Sequence, residues 1–426
     1  VTQSRYGYFA AISVLATALN LLTTFLNIPI LVRYLGVNDY GYWILFTSIG
    51  LIVTIIGTGM PQATLKFVSV NEEKDIPLTF RPIMTITLIQ AFALPLVIFF
   101  CRHLVFGLIH APVGSNINVL VLAILTISWS ISIPLNVGYS LQFALRKHIS
   151  AYGLQSVIYL LTLVLNWIML SLGYGLIGLS LIQLIVNMMA MVVVAIFLRK
   201  ELSVFWVATR KERLTPGTTT SVLKYGIYQM IGQLAFGLIF NLDNVFANRF
   251  SGINDMVYYN FRLKIFQVLT TMTLKPFWNY IPLVSSKFEH AELLDIKRLL
   301  LKVFRISLGI VTVIAVFYVF DIEHFIHIWT QVNIPRNLIL DISFGILLVV
   351  EQFLGNLAIV VTGMDLKSNR YLTTLSVLES GSNVLLTLYL GAHLGVIGIV
   401  WGTIIPRLLF TSLLILVYLP KVLSKR

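Results

Sequence analysis

"RYLGVNDYGY" spans residues 33–42 and "RFSGINDMVY" spans residues 249–258. Aligned without gaps, five positions are identical: Arg33 with Arg249, Gly36 with Gly252, Asn38 with Asn254, Asp39 with Asp255, and Tyr42 with Tyr258. Val37/Ile253 and Tyr34/Phe250 are conservative. The offset is 216 residues, about half of a 426-residue chain. A short charged phrase repeated at half length points to a duplicated fold.

What is duplicated follows from composition. The chain is 58% hydrophobic and 11% charged, and long apolar runs recur from end to end. That excludes a soluble globular protein and predicts a polytopic all-α membrane protein. Twelve spans are expected, at about 8–32, 42–60, 83–101, 118–138, 151–173, 176–198, 222–247, 257–282, 300–320, 338–362, 371–391 and 396–419. The run from Tyr8 to Val32 is too long for a signal-peptide core and reads as a retained span. A single cysteine, Cys101, excludes an intramolecular disulfide.

The net charge of +13 does not call for nucleic acid. Outside the spans, four Lys and Arg (Arg33, Arg102, Arg249, Arg336) fall on odd-numbered links. Nineteen fall on the termini and even-numbered links. The positive-inside rule accounts for this bias and predicts both termini in the cytoplasm.

Each copy of the phrase follows the first span of a six-span set. A second echo, "LSLGYGLIG" (170–178) and "LYLGAHLGVIG" (388–398), closes each set in the same order. Six spans per half gives parallel repeats related by an axis along the membrane normal. The expected organisation is a six-helix lobe over 1–200, a polar basic link over 201–221 and a second six-helix lobe over 222–426, around a central cavity. Within the phrase, Gly36 and Gly252 allow a tight turn, and the Asn-Asp pairs suit the start of the next helix. A gating or substrate role for Arg33 and Arg249 is the alternative to that structural turn.

The polar residues inside spans are the candidate site. The first span carries Ser13, Thr17, Asn20, Thr24 and Asn27 at helical spacing. The seventh carries Gln229, Gln233, Asn241, Asn244 and Asn248. The repeat offset superposes Ser13 on Gln229 and Thr17 on Gln233. These stripes suit either a shared aqueous cavity or hydrogen bonding between helices. The eighth span holds Arg262, Lys264 and Lys275. Lys264 and Lys275 share a face about 16 Å apart, with Gln267 and Thr271 between them. Two cations there need water, a carboxylate or an anionic substrate, unless both snorkel to the helix ends. Arg262 points away from Lys264 and suits snorkelling. Glu379 and Arg407 lie at similar depths on consecutive spans and suggest a structural ion pair. Glu351 has no evident partner and is the candidate for a coupling switch.

Other chemistry is not indicated. His324 and His327 are three apart without a third ligand, so no metal site is expected. No phosphate-binding glycine loop occurs. The amphipathic "DIEHFIHIW" (321–329) suits the membrane interface. No catalytic residue and no cofactor are expected.

The segment "RYLGVNDYGYWILFTSIGLIVTIIGTGMPQATLKFVS" (33–69) resembles the region near the start of bacterial polysaccharide exporters of the O-antigen flippase (Wzx) type. The resemblance rests on Leu35–Gly36, Tyr40–Trp43, Gly59 and Lys66–Val68. "IFNLDNVFANRFSG" (239–252) looks like the second-half segment of the same family, with Asp243–Asn244 in place of an Asp-Arg pair. The resemblance implies the multidrug/oligosaccharidyl-lipid/polysaccharide exporter fold. It also implies flipping of a polyprenyl-diphosphate-linked oligosaccharide across the bacterial inner membrane, beside a polysaccharide polymerase and a chain-length regulator. Lys264, Lys275 and Arg262 would then meet the diphosphate, and Gln229, Gln233, Asn20 and Asn241 the sugars. An ion-coupled multidrug exporter of the same superfamily and a membrane polysaccharide polymerase are the alternatives.

Overall fold

The computed structural model describes residues 3–55, 57–70, 76–109, 116–201, 216–278, 293–364 and 366–413. Among these residues the regular structure is helical. The helices are α1 (Gln3–Ile55), α2 (Gly59–Val70), α3 (Ile76–Ile109), α4 (Asn116–Ala144), α5 (His148–Ser171), α6 (Gly175–Phe197), α7 (Pro216–Ser251), α8 (Ile253–Trp278), α9 (Leu293–Thr330), α10 (Leu338–Met364), α11 (Leu366–Leu394) and α12 (Val396–Leu413). Most of the expected link 201–221, namely residues 202–215, lies outside the described residues.

The repeated phrase breaks a helix in both copies. Helix α1 has 53 residues, about 80 Å if straight, far more than the hydrocarbon thickness of a bilayer. At Gly36 the backbone leaves the helical region, with φ 74° and ψ 173°, a conformation open almost only to glycine. The first and second predicted spans therefore meet at Gly36 without an intervening loop. Gly252, at φ 86°, separates α7 from α8 in the same way. The closing echoes also match: Gly175 (φ 53°) and Gly395 (φ 59°) turn α5 into α6 and α11 into α12.

The second predicted span is interrupted too. Gly57 and Thr58 form a turn, and α2 starts afresh at Gly59. "DIEHFIHIW" is continuous with the span that precedes it. It forms the last turns of α9, with Ile322 and Ile326 fully buried and Asp321 and His324 exposed.

Seven helical stretches among the described residues are long and apolar enough to cross a membrane, and α12 adds a shorter apolar one. Their outer faces bear Leu15, Phe92, Phe100 and Phe320, each at least 70% exposed. Faces of this kind are stable against lipid and costly in water. The long helices left out of that set, α7, α8 and α11, carry many of the polar groups buried within the protein.

By packing, the chain falls into two compact units, Val1–Gly237 and Leu238–Arg426, and the division lies inside α7. In the first unit α4 packs against α2, α3, α5 and α6. Met60, Ile83, Leu141, Val194 and Val222 meet in its apolar core. The start of α7 lies tightly on α2: a Cβ on Gly59 would overlap the Gly226 carbonyl, and the Lys66 ammonium sits 4.0 Å from the Tyr225 ring centroid. In the second unit α10 packs against α8, α9, α11 and α12. By order in the repeat, α4 and α10 are equivalent. The same helix is central in each unit.

Candidate functional site

Helix α10 would be a plain apolar span but for Asp341, Glu351, Gln352 and Asn356, its buried residues with acid or amide side chains. Each is answered by a neighbouring helix. Asp341 meets Arg262 of α8, and Gln352 accepts from Thr273 Oγ1 of α8 at 2.7 Å. Asn356 donates to Ser307 Oγ of α9 at 2.7 Å, and Glu351 meets Arg407 of α12. A buried polar group without a partner costs several kcal/mol in hydrocarbon, so these pairings fix which helices are neighbours.

The Arg407 guanidinium spends three nitrogens on two acids. Nε donates to Glu351 Oε2 at 2.9 Å and Nη2 to Glu351 Oε1 at 2.8 Å, a bidentate pair. Nη1 donates to Glu379 Oε1 at 2.7 Å. The three side chains are 8–15% exposed. The cluster adjoins a neutral network in which Asn383 donates to Thr403 Oγ1 and the Gly402 carbonyl. Glu351 is thus not isolated: it is the bidentate partner of Arg407. With both acids ionised the group carries one net negative charge inside a span.

Arg262 requires a correction. It neither snorkels nor stands open to a substrate. It is 1% exposed, and Nε lies 2.6 Å from Asp341 Oδ1. The Tyr318 hydroxyl donates to its carbonyl at 2.7 Å, and Tyr318 and Tyr259 pack on Phe344. Asp243, one turn before the end of the buried stretch of α7, accepts from the Tyr259 hydroxyl at 3.0 Å. Asn260 donates to Asn244 at 3.0 Å. These residues tie α7, α8, α9 and α10 together.

Lys264 behaves differently. It is half-buried, and its ammonium reaches Gln267 Oε1 of its own helix at 3.2 Å, with no carboxylate partner among the described residues. The side chain of Lys275 lies outside the described residues. Gln229 is half-buried and hydrogen-bonds Tyr225, and Gln233 is exposed. Asn20 accepts from Thr24 Oγ1 at 3.3 Å, and Asn27 accepts from Asn166 of α5 at 3.2 Å. Asn241 is half-buried. The α1 stripe therefore serves partly to hold α5, as hydrogen bonding between helices requires.

Sequence reasoning missed Asp341, Tyr259 and Tyr318 as partners. Asp341 sits four residues into α10, where a carboxylate reads as a surface residue near a helix end.

The family model of the polysaccharide biosynthesis proteins matches residues 10–288. The chain belongs to the polysaccharide biosynthesis protein family. Among solved structures, this family member is similar to an inward-facing multidrug resistance MATE family transporter of the MOP superfamily. The TM-score is 0.76 at 14% identity, over 95% of this chain and 96% of that one. It is similar to the lipid II flippase MurJ in an inward closed conformation, with TM-score 0.72 at 14% identity over 98% and 89%. It is also similar to a mutant of the Vibrio cholerae MATE transporter VcmN, with TM-score 0.63 at 18% identity over 100% and 99%. Identities this low establish the fold alone. No curated protein matches the sequence. The chain is thus a multi-pass membrane protein of the polysaccharide biosynthesis family with the fold of MOP-superfamily transporters.

Proposed function

We propose that the protein flips a polyprenyl-diphosphate-linked oligosaccharide, an O-antigen or related surface repeat unit, across the bacterial inner membrane by alternating access. One observation carries the reading: a polysaccharide biosynthesis sequence is folded as a transporter, in a fold shared with a lipid II flippase. The reading places both termini in the cytoplasm, following the basic links. It gives the product to a polysaccharide polymerase with its chain-length regulator.

Within this reading Lys264 is the residue that meets the diphosphate. It is a half-buried cation without a carboxylate partner among the described residues, which suits an anionic ligand. Lys275 extends the same helix face. Gln229, Gln233, Asn20 and Asn241 offer amides to sugar hydroxyls. Arg262, committed to Asp341, is withdrawn from the substrate path. The Arg407 cluster, with Glu351 as its acid, is the coupling element. A division into lobes 1–200 and 222–426 belongs to the same reading.

A multidrug exporter is the second reading, favoured by the MATE neighbours. Reconstitution separates the two. The protein in liposomes should transfer a fluorescent polyprenyl-diphosphate oligosaccharide between leaflets, and Lys264→Ala should slow that transfer. Cation-driven efflux of cationic dyes, without lipid transfer when the matched glycan is supplied, would transfer the assignment to the drug exporter.

A further inference from the structure

We propose that Glu323 of α9 and Asp341 of α10 form a carboxylic acid–carboxylate pair that binds one proton, with Arg262 as its fixed counter-charge. The site is separate from the Arg407 cluster. Asp341 and Glu351 are ten residues apart on one helix, about 15 Å along its axis. It stands whatever the protein transports.

The geometry leaves room for a proton and little else. Asp341 Oδ1 takes the Arg262 Nε hydrogen at 2.6 Å, with both side chains 1% exposed. The Glu323 side chain lies within hydrogen-bonding reach of Asp341. Asp341 Oδ2 and Glu323 Oε1 are buried and receive no donor among the described residues. Ionised carboxylates only accept. Two of them in reach of each other repel, whereas one added proton makes a short, charge-assisted O–H···O⁻ bond. Such a proton belongs to the pair and not to either residue.

The surrounding charges agree. Arg262 enters from α8 and points into the pair, and its Nη2 is buried without a partner. On α9, Tyr318 gives its hydroxyl to the Arg262 carbonyl, and His327, one turn beyond Glu323, has a buried unpaired Nδ1. Asp321 and His324 on α9 are exposed. From α7 and the start of α8, Asp243 and Tyr259 are spent on each other. Arg336, 67% exposed, stands 3.9 Å from Glu323 Oε1. One proton makes the buried set neutral: Arg262 balances one remaining negative charge. A metal ion would instead sit beside the guanidinium, and no group of three or more metal-ligating side chains occurs among the described residues. Access runs through Glu323, whose side chain is 20% exposed, while Asp341 is sealed. A proton arriving from water on that face is taken up by the pair, and leaves by the same route.

The test uses the full chain in lipid nanodiscs, as the native protein, Glu323→Gln and Asp341→Asn. The glutamine amide donates permanently to Asp341 and imitates the protonated state. Infrared spectra of the native protein should contain a carboxylic-acid C=O band that titrates with pH and is lost in Glu323→Gln. The melting temperature of the native protein should fall as pH rises and the shared proton leaves, and that fall should vanish in Glu323→Gln. Loss of the same band in Asp341→Asn would add support. Identical pH profiles in native protein and Glu323→Gln, or an unchanged band, would overturn the proposal. Stabilisation of the native protein by sodium that Glu323→Gln abolishes would assign a cation and also overturn it. If neither variant folds, a native spectrum without any titrating carboxylic-acid band overturns it, as does a band that is lost in Glu351→Gln or Glu379→Gln, and a titrating band that survives both supports it.

Discussion

Arg407 holds Glu351 through two parallel hydrogen bonds, at 2.8 and 2.9 Å, across the contact between α10 and α12. A single guanidinium thus neutralises one acid fully and shares its remaining edge with Glu379. Removing the cation leaves two buried carboxylates facing each other. Arg407→Met is expected to lower stability by about 3–5 kcal/mol. Glu379→Gln keeps a hydrogen-bonding side chain and should cost about 1–2 kcal/mol. Thermal unfolding in detergent distinguishes the two. Equal melting temperatures for Arg407→Met and native protein would refute the role of the cluster.

Arg262 and Lys264 are two residues apart on α8 yet should fail in opposite assays. Arg262→Ala abandons Asp341 in a buried site and should cost about 3–5 kcal/mol, seen as poor yield and a lower melting temperature. Lys264→Ala removes a cation with no carboxylate partner among the described residues. It should leave melting within about 0.5 kcal/mol of native while slowing lipid transfer about tenfold or more. A folded, transport-normal Lys264→Ala variant would reduce Lys264 to a snorkelling residue.

Gly36→Ala and Gly252→Ala test the repeat. A Cβ at either position meets nothing within 4 Å, so the penalty is backbone strain alone. Each should cost about 1–2 kcal/mol, and by similar amounts. Gly59→Ala should be worse, because its Cβ overlaps the Gly226 backbone and forces α2 off α7. Paired melting curves of the three variants give the order directly.

At the end of α6, the Lys147 ammonium lies 2.6 Å from Glu201 Oε1 and also donates to the Phe197 carbonyl at 3.2 Å. Burial pushes the Glu201 carboxyl up, but the Lys147 hydrogen bond and charge outweigh it and hold the group below its usual value. Its stabilisation is therefore complete above the ordinary glutamate range and is lost as pH falls through the lowered value. The pair is partly exposed, so Glu201→Gln should cost less than about 1 kcal/mol at neutral pH. The difference from native protein should close in acid. Melting curves at neutral and acidic pH measure that closure, and a constant gap would count against the pair.

Much of this architecture was legible in the chain. Apolar runs mark the helices because lipid tolerates little else. The doubled phrase marks the two glycine breaks because only glycine adopts that backbone without strain. Glu379 and Arg407 stand at one depth on consecutive helices, so their contact could be anticipated. The partner of Arg262 could not: Asp341 lies 79 residues away, and periodicity reports the face of a helix but not which neighbour covers it. Glu351 looked solitary for a related reason. Pairing acids and bases one to one overlooks that a guanidinium has five donors and can serve two carboxylates.

The buried contacts of α10 have a bearing on how the second unit can move. An apolar helix among apolar helices can slip by a turn, about 5.4 Å, and find equivalent packing. Helix α10 has no such freedom. Its hydrogen bonds reach α8, α9 and α12, and any slip or rotation breaks them together, in a medium with no water to replace them. It is indexed by chemistry, like a shaft keyed to three wheels, and the helices around it inherit that index.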